Sequence, residues 1–398
     1  MLYFLQELFL GDSMRTVIKN VKIVTANEVL EGCACIVENG IIQSIGAAPS
    51  NADNEIDGKG GYLIPGFIDL HCHGGNGYEV MDANPEELKT LAAFHLSHGT
   101  TTMLAATMTA KTEEIYAALD AFAVYQKDNP NGVLKGVFLE GPWLNAKQCG
   151  AQSPEIMQRP CPETLRKLKE RYPFILRVAA APELDEEHRF GKTGKALGIV
   201  MSPAHTDATF TEIESAKSDG YTLMTHLYSG MKGMERKNAY RIAGAIEAGL
   251  YFDDLFVEII ADGRHLPHEL LKFIYKNKGA DRICLITDGT RASGFKNGET
   301  SILGSKENGV TVIIEDDVAK LPDRQSFAGS TATADRLYRE MAKAIGKDMV
   351  ALSKMASLTP ARVMGWTDRG EIAEGKIADL LIVNENLEIQ KIITSKEY

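Results

Sequence analysis

The sequence lacks the features that would place it in several large functional classes. It has no excess of basic charge: 43 Lys and Arg stand against 54 Asp and Glu, a formal net charge of -11. A surface of that sign is not built to neutralise nucleic-acid phosphates or anionic lipid, so any basic site for a phosphate must be local. It has no disulfide framework. The six cysteines, Cys33, Cys35, Cys72, Cys149, Cys161 and Cys284, show no paired spacing, and a chain of 398 residues does not need covalent staples. That usage suits a reducing cytoplasm. The apolar stretch Met1 to Leu10 has no basic flank and no small-residue cleavage site, reads poorly as a signal peptide and is too short to span a bilayer. No internal repeat or low-complexity tract stands out.

What is present is ordinary globular material, 44% hydrophobic and 24% charged. Length favours one large domain and one small one. Residues 14–60 are short apolar runs broken by Asn, Glu-Asn-Gly and Gly-Lys-Gly-Gly, the pattern of small antiparallel strands with tight turns and no helix. The idiom returns after Gly370, so the two ends are expected to pair into a β-sandwich made of 14–62 and 367–398. Residues 1–13 are expected to be an extension outside the fold.

Between the two ends, buried-looking runs at 63–71, 100–107, 133–140, 174–181, 197–205, 221–226, 255–261 and 282–287 alternate with helical patterns, clearest at 85–97, 112–127, 162–171, 267–277 and 331–345. Eight such units, with no dinucleotide-type Gly-rich turn after the first strand, predict an α/β fold of the (β/α)8 TIM-barrel type over residues 63–366. A hairpin-like insert is expected at about 299–325.

Barrels of this kind carry their chemistry at the C-terminal ends of the strands. The first run ends in His71-Cys72-His73, the third in Glu140, the fifth in His205, the sixth in His226 and the eighth in Asp288. Period-two geometry puts both imidazoles of the first run on one face and the thiol of Cys72 on the other. Any one of these histidines alone reads as a hydrogen-bonded structural residue. Four at matching positions, together with Glu140 and Asp288 as oxygen ligands, point instead to a divalent ion such as zinc, with open positions for water and substrate. Asp288 is then the candidate base, although an N-cap or turn role competes for it. His95, His98, His188 and His268 fall outside the pattern and are expected to be surface or packing residues. Cys33 and Cys35 lack a second pair and read the same way.

Several motifs occur together: Pro65-Gly66-Phe67-Ile68-Asp69, Leu139-Glu140-Gly141-Pro142-Trp143, Thr225-His226-Leu227-Tyr228, Asp262-Gly263-Arg264-His265, Thr287-Asp288-Gly289-Thr290 and Ala328-Gly329-Ser330. Over nearly the whole chain from about residue 15 the sequence resembles the N-acetylglucosamine-6-phosphate deacetylases of the amidohydrolase superfamily. The resemblance implies a cytoplasmic homodimer or homotetramer that hydrolyses the N-acetyl group of N-acetylglucosamine 6-phosphate to glucosamine 6-phosphate and acetate. It implies Glu140, His205 and His226 as the main metal ligands, with His71 and His73 available for a second ion. Asp288 becomes the general base and His265 a substrate contact that orients the carbonyl. Ala151, Ser229, Gly230 and the loop Phe327-Ala328-Gly329 would line the sugar and phosphate pocket.

Three departures from the family pattern accompany that resemblance. Both first-strand histidines are kept where some members have amides, which leaves one or two ions open. Ser229-Gly230 and Glu235-Arg236-Lys237 replace the more usual phosphate-gripping stretch, making Arg236 the aligned candidate, with Lys232 and Arg241 as substitutes. Gln152 stands where a histidine is frequent and is expected to be a substrate contact. Alternatives are deacetylation of N-acetylgalactosamine 6-phosphate or another N-acyl amino sugar, a ring amidohydrolase with a carboxylated lysine, which Glu140 disfavours, and an inactive scaffold, which should have lost ligands.

Overall fold

The computed structural model describes residues 7–9 and 15–395. Its central element is a set of eight parallel strands: β1 Phe67–Cys72, β2 Thr100–Thr107, β3 Leu134–Leu139, β4 Ile175–Ala180, β5 Val200–Pro203, β6 Leu223–Met224, β7 Phe256–Ile259 and β8 Ile283–Leu285. β1 to β5 form one ladder and β6 to β8 another. The two ladders are joined into a closed barrel at both seams. Thr222 and Thr225 donate their N–H groups to the Met201 and Pro203 carbonyls at 3.0 Å. On the other side Asp288 N–H donates to the His71 carbonyl at 2.9 Å and His73 N–H to the Gly289 carbonyl at 2.8 Å.

Each strand is followed by a helix: α1 Pro85–Ser97, α2 Thr112–Asp128, α3 Pro162–Arg171, α4 Phe190–Ala196, α5 Phe210–Asp219, α6 Ala245–Tyr251, α7 His268–Lys278 and α8 Ala334–Ile345. The start of α1 shows why. Asn84 accepts from Glu86 N–H, Pro85 occupies the first turn where no donor is needed, and Glu86 and Glu87 face the positive end of the helix. Leu88, Leu91 and Leu96 then bury one face. α4 and α6 have only seven residues each, and α4 contains Gly191 and Gly194, so their periodicity is weak in the sequence.

The termini build a β-sandwich. One sheet runs, in spatial order, Glu7–Phe9, Ile389–Thr394, Leu380–Val383, Tyr62–Pro65, Lys22–Val24 and Val29–Leu30. The other runs Ile41–Gly46, Ala34–Glu38, Arg15–Lys19 and Asn54–Asp57. Ile18, Cys35, Val37, Leu63, Leu380 and Ile393 fill the space between the sheets. The pairing is not purely antiparallel as expected. Arg15–Lys19 runs parallel to Asn54–Asp57 and Lys22–Val24 parallel to Tyr62–Pro65, because the chain crosses between sheets instead of turning back at each hairpin.

Three further expectations need correction. The predicted strand 63–71 is two strands: Tyr62–Pro65 lies in the sandwich and Phe67–Cys72 in the barrel, with the change at Gly66. We therefore place the domain boundary there. Of residues 1–13, only Glu7–Phe9 is described, and it pairs with Ile392–Thr394 as a sandwich strand; the rest of that expectation lies outside the described residues. The insert is a three-stranded antiparallel sheet, Thr300–Leu303, Val310–Glu315 and Val318–Lys320, rather than a single hairpin. Among the described residues no helix is long and apolar enough to cross a membrane.

The barrel interior is apolar at Ile68, Leu70, Leu104, Ala106, Phe138 and Ile286, and it also holds an ion pair. Arg177 on β4 and Glu258 on β7 are fully buried and paired. The guanidinium also donates to Thr225 Oγ1 and Ser202 Oγ at 2.9 Å and to the Leu70 carbonyl at 3.1 Å, and it lies 3.8 Å from the Phe138 ring centre. Satisfying every donor is what makes a buried arginine tolerable.

Candidate metal centre and active site

The end of β1 is bent by a bulge. Met103 pairs with Asp69 and Ala105 with Cys72, so Leu70 and His71 oppose the single residue Leu104. An extra residue flips the alternation at the strand end and re-aims the side chains beyond it. Ile68 and Leu70 fill the barrel below, and His71 and His73 then face inward above them. Cys72 points the other way, its Sγ 3.3 Å from the Gly74 carbonyl and 3.2 Å from His95 Nε2, and burial pushes its thiol well up. It is a packing residue, as expected, and so is His95, whose imidazole burial lowers to about 4.

The side chains at the strand ends converge. Glu140 is the hub: its Oε1 is 2.9 Å from His226 Nε2 and 3.5 Å from both His71 Nε2 and His205 Nε2, and its Oε2 is 3.4 Å from His73 Nε2. Asp288 Oδ1 is 3.1 Å from His73 Nε2 and 3.3 Å from His71 Nε2. Two triads share Glu140, one with His71 and His73 and one with His205 and His226, each with its ligand atoms within 4.8 Å of one another.

The donor set can be tested by its tautomers. His73 Nδ1 lies 3.2 Å from the Ala106 carbonyl and His205 Nδ1 2.7 Å from the Gln148 carbonyl. A carbonyl only accepts, so each Nδ1 carries the hydrogen, and each Nε2, facing the carboxylates, is the nitrogen that can give a lone pair to a cation. Imidazole nitrogens and anionic oxygens gathered in a buried space need positive charge between them, as protons or as a metal cation. His71 Nε2 and His73 Nε2, 3.1 Å apart, press the same point. Neutral imidazole nitrogens held by backbone carbonyls, with carboxylate oxygens, are the ligand chemistry of zinc and similar divalent ions.

Electrostatics agree. Burial alone would lower the His71 imidazole, but the Asp288 charge and then Glu140 raise it to about 9. Burial would raise Glu140 and Asp288, yet the facing imidazoles, His71 first, hold Glu140 well below and Asp288 below the usual carboxylate range. The cluster as a whole calls for positive charge.

The backbone at these positions is unusual. His205, His226, Tyr228 and Asp288 have φ of 41°, 27°, 81° and 47°, left-handed values that non-glycine residues rarely adopt. This is also why the predicted strands 197–205 and 221–226 end early, at Pro203 and Met224. Gly230 is required as glycine for another reason: a Cβ there would lie 2.6 Å from His205 Nδ1.

A cavity of about 310 Å³ opens over the cluster, within the range of small-molecule sites. Of the predicted residues it brings together His73, Glu140, His205, His226, Asp288, His265, Ala151, Gln152, Ser229, Gly230, Phe327 and Gly329. His71 is buried behind this lining. His265 is oriented by Asp262, which takes its Nδ1 at 2.8 Å, and its ring lies 4.6 Å from that of Phe327.

Several expectations are not met as stated. Arg236 does not line the cavity. It sits exposed on the hairpin Glu235–Lys237 and Tyr240–Ile242, opposite Arg241, because the chain turns outward after Met231. Ala328 is buried behind the lining, its N–H given to the Ala319 carbonyl. Gln152 is engaged at the ligand cluster, its Nε2 donating to Glu140 Oε2 at 2.7 Å and its Oε1 accepting from Thr109 N–H at 2.9 Å. Ser229 N–H is already used by the His226 carbonyl, so Ser229 offers its hydroxyl instead.

Sequence reasoning missed Arg177, Glu258 and Tyr228. Glu258 Oε2 is 3.5 Å from His71 Nδ1, and Arg177 fixes Glu258 from the far side. The available signal was a charge in the middle of each of two apolar runs, Ile175-Leu176-Arg177-Val178 and Phe256-Val257-Glu258-Ile259.

The model of the amidohydrolase family matches residues 62–396. The chain is 30% identical to the N-acetylglucosamine-6-phosphate deacetylase of Lysinibacillus sphaericus over 380 residues, 95% of this chain and 96% of that protein. It is also 30% identical to the N-acetylgalactosamine-6-phosphate deacetylase of Escherichia coli O157:H7 over 382 residues, 95% and 98% of the two chains. Among solved structures, an N-acetyl-D-glucosamine-6-phosphate deacetylase variant from Mycobacterium smegmatis, in complex with N-acetyl-D-glucosamine-6-phosphate, superimposes with a TM-score of 0.87 at 27% identity, covering 97% of this chain and 99% of that one.

Proposed function

The chain belongs to the amidohydrolase family, and on that premise we propose that it is a metal-dependent deacetylase that converts N-acetylglucosamine 6-phosphate to glucosamine 6-phosphate and acetate. The observation that carries the reading is the convergence of four imidazole Nε2 atoms on the Glu140 carboxylate, with Asp288 beside it and a sugar-sized cavity above.

Glu140, His205 and His226 would hold the main ion, and His71 with His73 would allow a second one bridged by Glu140. The ion is zinc, one or two per subunit. When bound, a divalent ion supplies a lowered pKa for water and a polarised carbonyl.

The protein's own groups do the rest. Asp288 is held ionised by its imidazole neighbours, so it accepts the proton of the attacking water and returns it to the amine as the C–N bond breaks. His265 has its Nδ1 hydrogen committed to Asp262, which fixes its tautomer and aims the ring at the substrate. Ala151, Gly230, Phe327, Gly329 and the Ser229 hydroxyl shape the sugar pocket, and Gln152 steadies Glu140.

The phosphate end lies by the loop of Ser229 and Gly230. Arg236, exposed on its hairpin beside Met234 and Tyr240, would serve it from a second copy in an assembled homodimer or homotetramer. The cytoplasm is the compartment in which such a phosphorylated sugar is available.

Acetate release by the zinc-loaded protein tests the reading. Turnover of N-acetylglucosamine 6-phosphate with kcat/KM above about 10⁴ M⁻¹s⁻¹ supports it. No release with metal bound, or a preference for N-acetylgalactosamine 6-phosphate, overturns the sugar assignment and leaves the hydrolase chemistry standing.

A further inference from the structure

The active-site cavity has a neighbour. A second chamber of about 220 Å³ lies against it, and Met108, Ala151, Gln152 and Leu303 line both. Met81, Ile156 and Val310 add apolar surface to its far side, from the loops after β1 and β3 and from the insert.

Its place in the barrel gives it a direction. The chamber is built around the loop after β2, where Met108 and Thr109 follow the strand end at Thr107. Ser229 and Gly230 follow β6, four strands away and therefore across the mouth of an eight-stranded barrel. In a 2-acylamino-hexose 6-phosphate, the amide on C2 and the phosphate arm on C5 leave opposite corners of the pyranose ring. With the phosphate toward the β6 loop and the amide carbonyl at the ligand cluster, the acyl carbon chain leaves toward the β2 side. That is the wall the two chambers share.

Resting on the deacetylase reading, we propose that this enzyme also hydrolyses N-acyl groups longer than acetyl, with the acyl tail entering the second chamber. The wall is suited to it. Gln152 is pinned by Thr109 N–H and Glu140 and forms the fixed post. Met108, unbranched and adaptable, is the side the tail passes. The chemistry needs no new reactant: the C–N bond breaks, the water oxygen ends on the acyl carbon, the proton goes to the amine, and the products are glucosamine 6-phosphate and a short-chain carboxylate. A closed acetyl pocket behaves otherwise, since each methylene that does not fit lowers kcat/KM by about 10- to 200-fold.

The test measures glucosamine 6-phosphate release by the zinc-loaded protein from the N-acetyl, N-propanoyl and N-butanoyl substrates. The proposal expects kcat/KM for N-butanoyl to be at least about one tenth of that for N-acetyl; a lower value overturns it. Val310→Trp, at an exposed position that lines only the second chamber, should lower the butanoyl-to-acetyl ratio by about tenfold or more, with acetyl turnover unchanged. Ile156→Trp is the second variant should the first fail to fold. An unchanged ratio in a folded variant overturns the proposal. Failure on all three substrates, acetyl included, overturns the deacetylase reading itself and is thereby told apart from failure of the chamber.

Discussion

In the β-sandwich, left-handed backbone is confined to turn residues such as Asn20, Asn39 and Lys59, and the space between the sheets holds aliphatic side chains. At the mouth of the barrel, left-handed backbone falls on His205, His226, Tyr228 and Asp288, and a buried Arg177–Glu258 pair lies beneath them. Asn20, Asn39 and Lys59 are exposed, so water solvates those turns. The mouth puts its unusual conformations on the side chains that do chemistry, at about 1 to 3 kcal/mol each. One region keeps the molecule folded, and the other is kept in a poor conformation because its geometry is needed.

Mutations can separate the two regions. The largest effect is expected from His226→Gly, which should remove the ion held with Glu140 and His205 and abolish acetate release. The metal-free variant should keep its thermal midpoint, because glycine accepts the φ of 27° without strain. Metal analysis and calorimetry on the metal-free protein check both halves. Next is Arg177→Met, which leaves Glu258 buried without its partner and should cost about 3 to 5 kcal/mol in urea unfolding. Adding Glu258→Leu should restore much of that stability, yet His71 then loses the carboxylate behind its Nδ1 and metal affinity should fall about 10- to 100-fold.

In the sandwich, Leu63→Ala should cost about 2 to 5 kcal/mol and leave kcat and metal content as in the parent. A drop in kcat there would erase the distinction between the two regions.

The smallest effect concerns pH. His95 is held at about 4 in the folded protein against an ordinary value of 6.5, so below pH 6.5 the unfolded chain binds a proton that the folded one refuses. Stability from this group is full above 6.5 and is lost as pH falls toward 4, about 2 kcal/mol by pH 5. Asp69, pushed up to about 6 by burial, acts in the opposite sense, so the quantity to read is the difference between the parent and His95→Gln in unfolding at pH 7 and pH 5. Leu63→Ala should keep the parental pH slope.

Much of the barrel was legible because each strand is a short apolar run and the functional ones stop at a metal-type side chain, as Leu139-Glu140 and Thr225-His226 do. What was not legible depends on contacts between distant segments. The bulge at Leu70 and His71 exists only in the register with Leu104. The parallel pairing of Arg15–Lys19 with Asn54–Asp57 and the capture of Glu7–Phe9 by Ile392–Thr394 have no local signature. Gln152 read as a substrate contact and does line the cavity, but its amide is also taken by the Glu140 carboxylate and the Thr109 N–H, partners distant in sequence. Arg236 aligned with a phosphate group, and the outward turn of its hairpin takes it off the cavity wall of its own chain.

In the mechanism proposed above, the strand-end cluster binds the ion while Asp288 moves the proton. Asp288→Asn separates these two roles, with metal content and acetate release from N-acetylglucosamine 6-phosphate measured on one preparation. Metal bound as in the parent and kcat lower by about 10² to 10⁴ are expected; acetate release at the parental rate would contradict the assignment.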